Sequence, residues 1–320
     1  MAKRVMPQEY ATWTDQWSFL NLRTHSGHKA DRAITLHLSS GMIPEQAAQQ
    51  MHTAFLKPAV PHRHRMNINS IPRCVLHSVY ILTLTVAAYG DDATWLKEKG
   101  ALVFQDVFDR QLDGNGIKAI GNGWESATAD RAPSVKQADL DGGILKINSD
   151  GKAAGHGVHI HHDAGFADGG TTLRFRFPGL NKGESFTIGH VDREMKGVHA
   201  GHLCYANLYQ TSILLRDNKT GVSDENLRAR RAVFLEKKEK LPADLDTLLQ
   251  TKEKTVPWKA DNEWHDLTLA FEGDEMRLSI DGSPVATHRS EGYSHPSKRW
   301  LSFSASNTLW ISDVKIWRIK

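Results

Sequence analysis

Between Trp264 and Gly282 the chain alternates apolar and polar residues in two runs. Leu267, Leu269 and Phe271 alternate with Asp266, Thr268 and Ala270, the period-two signature of a half-buried strand. Glu272-Gly273-Asp274-Glu275 is a polar, glycine-containing turn, and Met276, Leu278 and Ile280 then alternate with Arg277 and Ser279. Asp281-Gly282 predicts a second turn, and Pro284-Val285-Ala286 a further short strand. The same pattern predicts strands at 102–108, 144–147, 158–162, 173–177, 186–191, 203–208, 212–216, 300–304 and 309–319. In Leu173-Arg174-Phe175-Arg176-Phe177 the apolar residues face a core and both arginines face the other way.

One stretch breaks this rhythm. Residues 223–252 are rich in helix formers: Ser223 offers a helix cap, Asp224 and Glu225 fit a first turn, and Pro242 ends or restarts the run. They predict a helical insertion on the edge of the sheet, with a second short helix over Ala243 to Gln250. Many short strands with regular turn signals predict an all-β sandwich of antiparallel sheets.

The beginning of the chain reads differently. Met66 to Gly90 has a short polar start with Arg73, an apolar run from Val75 to Ala88, and small residues at Ala88 and Gly90. That is the three-part layout of a signal peptide, and the run is short of the ~20 apolar residues of a membrane-spanning helix. The reading therefore makes 66–90 a signal peptide, Met66 the true start, and 1–65 an unstructured upstream extension translated from a mis-called start codon. Residues 91–320 form the exported domain, periplasmic or extracellular, with no membrane partner after cleavage. Nine of the 40 Lys+Arg and four of the 37 Asp+Glu precede residue 91, which leaves 31 basic and 33 acidic residues. A balance so close to neutral predicts no nucleic-acid partner. Cys74 falls in the signal, so Cys204 is left with no intrachain disulfide partner.

Several segments resemble a known group. Phe104–Phe108 with Gly121-Asn122-Gly123-Trp124 is similar to the opening strand and turn of concanavalin-A-like modules. Trp264-His265-Asp266-Leu267, Ile280-Asp281-Gly282 and Ile311-Ser312-Asp313-Val314-Lys315-Ile316-Trp317 resemble the 3-keto-disaccharide hydrolase domain family. Ser290 to Pro296 looks like a loop of the same group. The resemblance implies a concanavalin-A-like jelly roll related to glycoside hydrolase family sixteen, export, and a carbohydrate partner on the concave face. The chain departs from family sixteen in one respect. Those enzymes carry acids two residues apart on one strand, which puts two carboxyls on one face about 5 Å apart for a retaining mechanism. Glu272-Gly273-Asp274-Glu275 has the letters but occupies a turn.

Histidine is the sharper chemical signal. Ten of the 17 histidines follow residue 90, and seven of them lie between 156 and 202. His159 and His161 share a strand face, as do His190 and Asp192, while His199 and His202 have loop spacing suited to a metal. A divalent ion held by these residues could polarise a keto sugar. The same histidines also fit a polar face hydrogen-bonded to glycan or water, or a purely structural metal site. His159, His161, His190, Asp192 and Glu194 are the catalytic candidates, the two acids as proton donor or acceptor. Arg174, Arg176, Trp124 and Trp258 are the substrate-binding candidates, the tryptophans because loop positions leave a ring free to stack. Trp264, Trp310 and Trp317 sit in strand patterns and are expected in the core. Two functions fit: an exported hydrolase or lyase acting on a 3-keto-glycoside, or a non-catalytic carbohydrate-binding or surface-interaction module.

Overall fold

A computed structural model describes residues 91–112, 117, 119–128, 132–149 and 157–320. The signal, the upstream extension and His156 lie outside the described residues. Strands are numbered in chain order. Sheet A runs β14 (Ser283–Arg289), β13 (Glu275–Ile280), β12 (His265–Glu272), β7 (Gly169–Arg176), β16 (Thr308–Arg318), β5 (Ile144–Asn148), β4 (Ala138–Asp141), with β1 (Ala101–Asp106) also paired to β16. Sheet B runs β11 (Glu253–Pro257), β10 (Ser212–Asp217), β9 (His202–Tyr209), β8 (Ser185–Val191), β15 (Lys298–Ala305), β6 (Val158–Phe166), β3 (Trp124–Ser126), β2 (Ala119–Gly121). Neighbouring strands are antiparallel throughout the described ladders, so the fold is the jelly-roll sandwich of two antiparallel sheets.

The expected hairpin is β12–β13, with Phe271 opposite Met276 and Leu269 opposite Leu278. Gly273 closes it at φ 56°, and Asp281 and Gly282 turn the next corner at φ 52° and 73°, the left-handed pair that a tight hairpin turn requires. One core lies between the sheets. From sheet A it takes Leu173, Phe175, Leu269, Phe271 and Leu278; from sheet B, Ile160, Phe166, Phe186, Ile188 and Phe303. Ring contacts cross the gap, Phe166 to Phe271 at 6.2 Å and Phe175 to Phe186 at 5.6 Å. Each such side chain contributes roughly 1.5–3 kcal/mol on burial. The last strand needs a correction of phase to stay in register. Leu309 and Ile311 are odd-numbered core residues, Val314 and Ile316 even-numbered ones. A bulge between Ser312 and Lys315, with Asp313 at φ 46°, resets the alternation.

The insertion is two helices between β10 and the edge strand β11: α2 (Glu225–Lys237) and α3 (Ala243–Thr251). The expected cap Ser223 is corrected to Asp224, whose Oδ1 accepts from the Leu227 amide at 2.9 Å. The amphipathic start 91–100 is helix α1 (Asp92–Lys99), capped by Asp91. No helix of the described residues is long and apolar enough to cross a membrane.

Three tryptophans expected in the core are not there. Trp264, Trp310 and Trp317 are half-buried on the outer side of sheet A; on the last strand the inward positions go to Leu309, Ile311 and Ile316. Trp124, expected in an exposed loop, is the reverse case. It is 1% exposed, stacks on Phe303 at 5.3 Å and donates its indole N–H to Asp106 Oδ2 at 2.8 Å. It cannot stack on a sugar there.

Candidate functional site

Directly paired residues of an antiparallel sheet project to the same side. The ladder therefore defines one transverse row on the outer side of sheet B. It runs Glu125–His161–Ser302–Gly189–Tyr205–Arg216–Glu253 across seven adjacent strands. Beside it runs His159–Ser304–Thr187–Asn207, in which the Thr187 hydroxyl donates to Asn207 Oδ1 at 2.8 Å. His159 and His161 stack with parallel rings 6.1 Å apart. Arg216 pairs with Glu253 at 2.7 Å at one end of the first row, and Arg193 reaches Glu125 at 3.5 Å at the other. Arg193 also lies over Trp300, 4.6 Å from the ring centre, so the Glu125 carboxylate has a cation held beside it.

The middle of this row is kept low. A Cβ on Gly189 would meet the Cys204 carbonyl oxygen at 2.0 Å and Tyr205 Cδ1 at 2.4 Å, so the tyrosine ring leans over the glycine. Tyr205 is 8% exposed, and its hydroxyl is buried with no hydrogen-bond partner among the described residues. Burial raises its pKa far above the ordinary range, so the phenol stays protonated as a donor. A buried donor left unsatisfied costs about 1–3 kcal/mol. His161 and Tyr205 are three strand spacings apart, roughly 14 Å.

The sequence candidates do not gather at one place. His159 and His161 are on this face, as their spacing predicts. His190 is not: it faces the core at 0% exposure, edge-on to Phe166 at 4.9 Å and Phe271 at 5.3 Å. Neither ring nitrogen has a partner of good hydrogen-bond geometry among the described residues. Burial, helped by the Lys298 charge, lowers its pKa to about 3, and it is a neutral core residue rather than a catalyst. Strand alternation makes it face in because Phe186 and Ile188 do. Asp192, just past the end of β8, is 8% exposed and accepts from His295 Nε2 at 3.1 Å. Arg299 lies 3.6 Å from Asp192 and pairs with Glu194 at 3.1 Å. Both acids thus tie the 290–299 segment to β8, and Glu194 is exposed on the rim.

Arg174 and Arg176 lie on the opposite side of the sandwich, on the outer side of sheet A, and cannot share a ligand with the histidines. Trp258 is half-buried against Phe175, Phe177 and His265 at 6.3–6.5 Å. His199 and His202 meet edge to face at 5.8 Å. Among the described residues no three His, Cys, Asp or Glu side chains converge as a metal site would need. The donor set here does not fit a divalent ion. Cys204 is buried and free, and burial pushes its thiol up to about 12, which removes it as a nucleophile.

Two residues escape the sequence reading. Glu125 belongs to a strand of three residues, too short to show alternation. Tyr205 sits in His202–Tyr209, where residues on both sides of the strand are buried, so no polar face announces it.

No protein-family model matches the chain, and no curated protein matches it. Similar solved structures include SCLam, a non-specific endo-beta-1,3(4)-glucanase from family GH16, at 11% identity, covering 69% of this chain and 92% of that one, with a TM-score of 0.45. A laminarinase from Flavobacterium sp. UMI-01 is 13% identical over 68% of this chain and 100% of its own, TM-score 0.44. The carbohydrate recognition domain of Emp47p is 12% identical over 69% and 97%, TM-score 0.39. No residue role is carried over from them.

Proposed function

We propose that the chain is an exported, carbohydrate-active enzyme that cleaves a 3-keto-glycoside on the outer side of sheet B without a metal. One observation carries the reading. The carboxylate of Glu125 and the imidazole of His161 are direct cross-strand neighbours on this face, a base and an acid one strand spacing apart. Export rests on the sequence of 66–90 alone, and the keto substrate on the resemblance together with the chemistry that follows.

A ketone at C3 acidifies the C2 hydrogen. Glu125 takes that proton and the electron pair moves into an enolate across C2 and C3. The enolate then expels the C1 oxygen, which takes a proton from His161. The products are an unsaturated keto sugar and a free alcohol, and water added across the new double bond completes hydrolysis. No pair of acids two apart on one strand is needed. The test is turnover of 3-keto-disaccharides against their unoxidised parents, with and without EDTA. Turnover of the keto sugar alone, unchanged by EDTA, is expected. In Glu125→Gln it should fall about 10²- to 10⁴-fold, the usual contribution of a positioned acid–base group.

The second reading is a binding module. It is favoured by the absence, on the described strands of this face, of two carboxylates placed for a retaining mechanism. Folded protein that binds glycans on this face and turns over neither sugar would select it.

A further inference from the structure

The outer side of sheet A carries a second row, and its composition is unlike the first. Arg176, Trp310, Lys146 and Asp139 are direct partners across β7, β16, β5 and β4. Trp310 stands between its two cations, with Lys146 Nζ 5.2 Å and the Arg176 guanidinium 5.4 Å from the ring centre. Trp264 packs 6.4 Å from Trp310 and is itself covered by Arg174 at 5.4 Å. Three strand spacings make this row roughly 14 Å long. Against its β4–β5 end lies a surface cleft of about 310 Å³, walled by Trp310, Lys146, Asn148, Thr308, Gln137 and Asp139.

We infer that this row and cleft form a second, non-catalytic glycan site, and that its ligand is a neutral pyranose chain. Three observations carry this. The volume is at the lower end of small-ligand sites, the size of a short oligosaccharide segment. The walls combine one large indole with donors and acceptors of both kinds, the set that polyhydroxylated rings require. The charges are already matched: Arg174 pairs with Asp266 at 3.2 Å, Lys136 with Asp139 at 2.9 Å, and Lys146 with Asp141. Only Arg176 in the row has no carboxylate, its Nε donating to the Asn262 carbonyl. A row so neutralised offers little to a polyanion, whereas paired charges suit hydroxyls and the indole edge left between the two cations can meet C–H groups. Sheet A holds this site and sheet B the proposed reaction, so one glycan could be retained while another segment is processed.

The experiment is calorimetric titration of the full chain with laminarihexaose, cellohexaose and an oligogalacturonate of similar length. The wild type, Trp310→Ala, Lys146→Ala and Glu125→Gln are compared, each checked for folding by circular dichroism. A neutral hexasaccharide should bind the wild type, and Trp310→Ala should weaken it about tenfold or more, the penalty of removing a central aromatic contact. Lys146→Ala should weaken it less, and Glu125→Gln should leave this binding intact. Equal affinity in folded Trp310→Ala would overturn the inference and make the row a self-contained cation–π ladder. So would binding of the oligogalacturonate alone, or of none of the three. These outcomes are separate from turnover of the keto sugar, which tests sheet B only.

Discussion

The two outer sides of the sandwich are built from the same strand alternation and reach opposite chemistries. On sheet B the central outward positions are small or titratable: Ser302, Gly189, His161, Glu125, with one buried phenol beside them. On sheet A they are large, flat and charge-balanced: Trp264, Trp310, Arg174, Arg176, Lys146. The first arrangement leaves groups whose hydrogen-bonding or protonation state can change when a ligand arrives. The second satisfies its charges internally and changes little. A reacting site and a holding surface differ in this way, and the difference follows from which side chains the register makes neighbours.

The sharpest way to break this contrast is to cross the two sets of variants. Glu125→Gln should lose two orders of magnitude or more in turnover with glycan affinity on sheet A unchanged. Trp310→Ala should lose affinity with turnover of a soluble keto disaccharide unchanged. If either variant moves both readouts, the two faces are one functional unit and the comparison fails.

The next largest effect concerns the histidine that does not belong to either face. His190 is buried neutral with a pKa near 3, against about 6.5 in an unfolded chain. Between those two values the unfolded state binds more protons than the folded one, so stability falls as pH drops from 6.5 toward 3. The slope from this one group approaches ~1.4 kcal/mol per pH unit. His190→Leu should flatten the acid limb of a stability–pH curve measured by urea unfolding, with keto-sugar turnover at neutral pH retained. Loss of turnover with an unchanged acid limb would return His190 to the site.

Gly189 offers a smaller and more local test. The space its missing side chain would fill holds the Tyr205 ring and the Cys204 carbonyl. Gly189→Ala should cost about 1–3 kcal/mol, an overpacking penalty, and displace the phenol. Thermal unfolding would report the first effect and near-ultraviolet circular dichroism the second. A variant as stable as the wild type and with an unchanged near-ultraviolet spectrum would show that the ring is not packed over Gly189 in this way.

Much of the fold was legible because alternation is local. The hairpin 264–282, the inward Leu173, Phe175 and Phe177, and the helical insertion all follow from short-range pattern. The site was legible only in part, since a face is a property of register between strands far apart in sequence. His159 and His161 could be paired on one strand, but nothing local joins His161 to Glu125, 36 positions away, or to Ser302. His190 looked equivalent to them until its strand's phase put it inside with Phe186 and Ile188. Arg174 and Arg176 carried no mark of which sheet they belonged to. Trp310 read as core because its neighbours Leu309 and Ile311 are core, and the bulge near Asp313 then hid the phase of the rest of the strand.

The smallest expected effect sharpens the sheet A side. His265, at the start of β12 beside Trp264, is held by two carboxylates, Asp281 Oδ2 at 2.7 Å from Nδ1 and Asp261 Oδ1 at 2.9 Å from Nε2. Burial alone would lower its pKa, but the two acids outweigh burial and raise it. A raised folded pKa means that the clasp's stabilisation is full below about 6.5 and is lost as pH rises through the higher folded value. Asp281 Oδ1 also accepts from the Asp266 amide at 2.9 Å, so the same clasp fixes the start of β12, next to Trp264 and including Asp266, the partner of Arg174. Raising the pH through this window should therefore weaken hexasaccharide binding on sheet A slightly. Asp281→Asn should remove most of that pH dependence, because the imidazolium loses one of its two anions. Turnover on sheet B should keep a pH profile that Asp281→Asn does not alter. A profile that shifts with it would couple the two faces through β12, and would replace the picture of independent faces with that of one sandwich sensed from both sides.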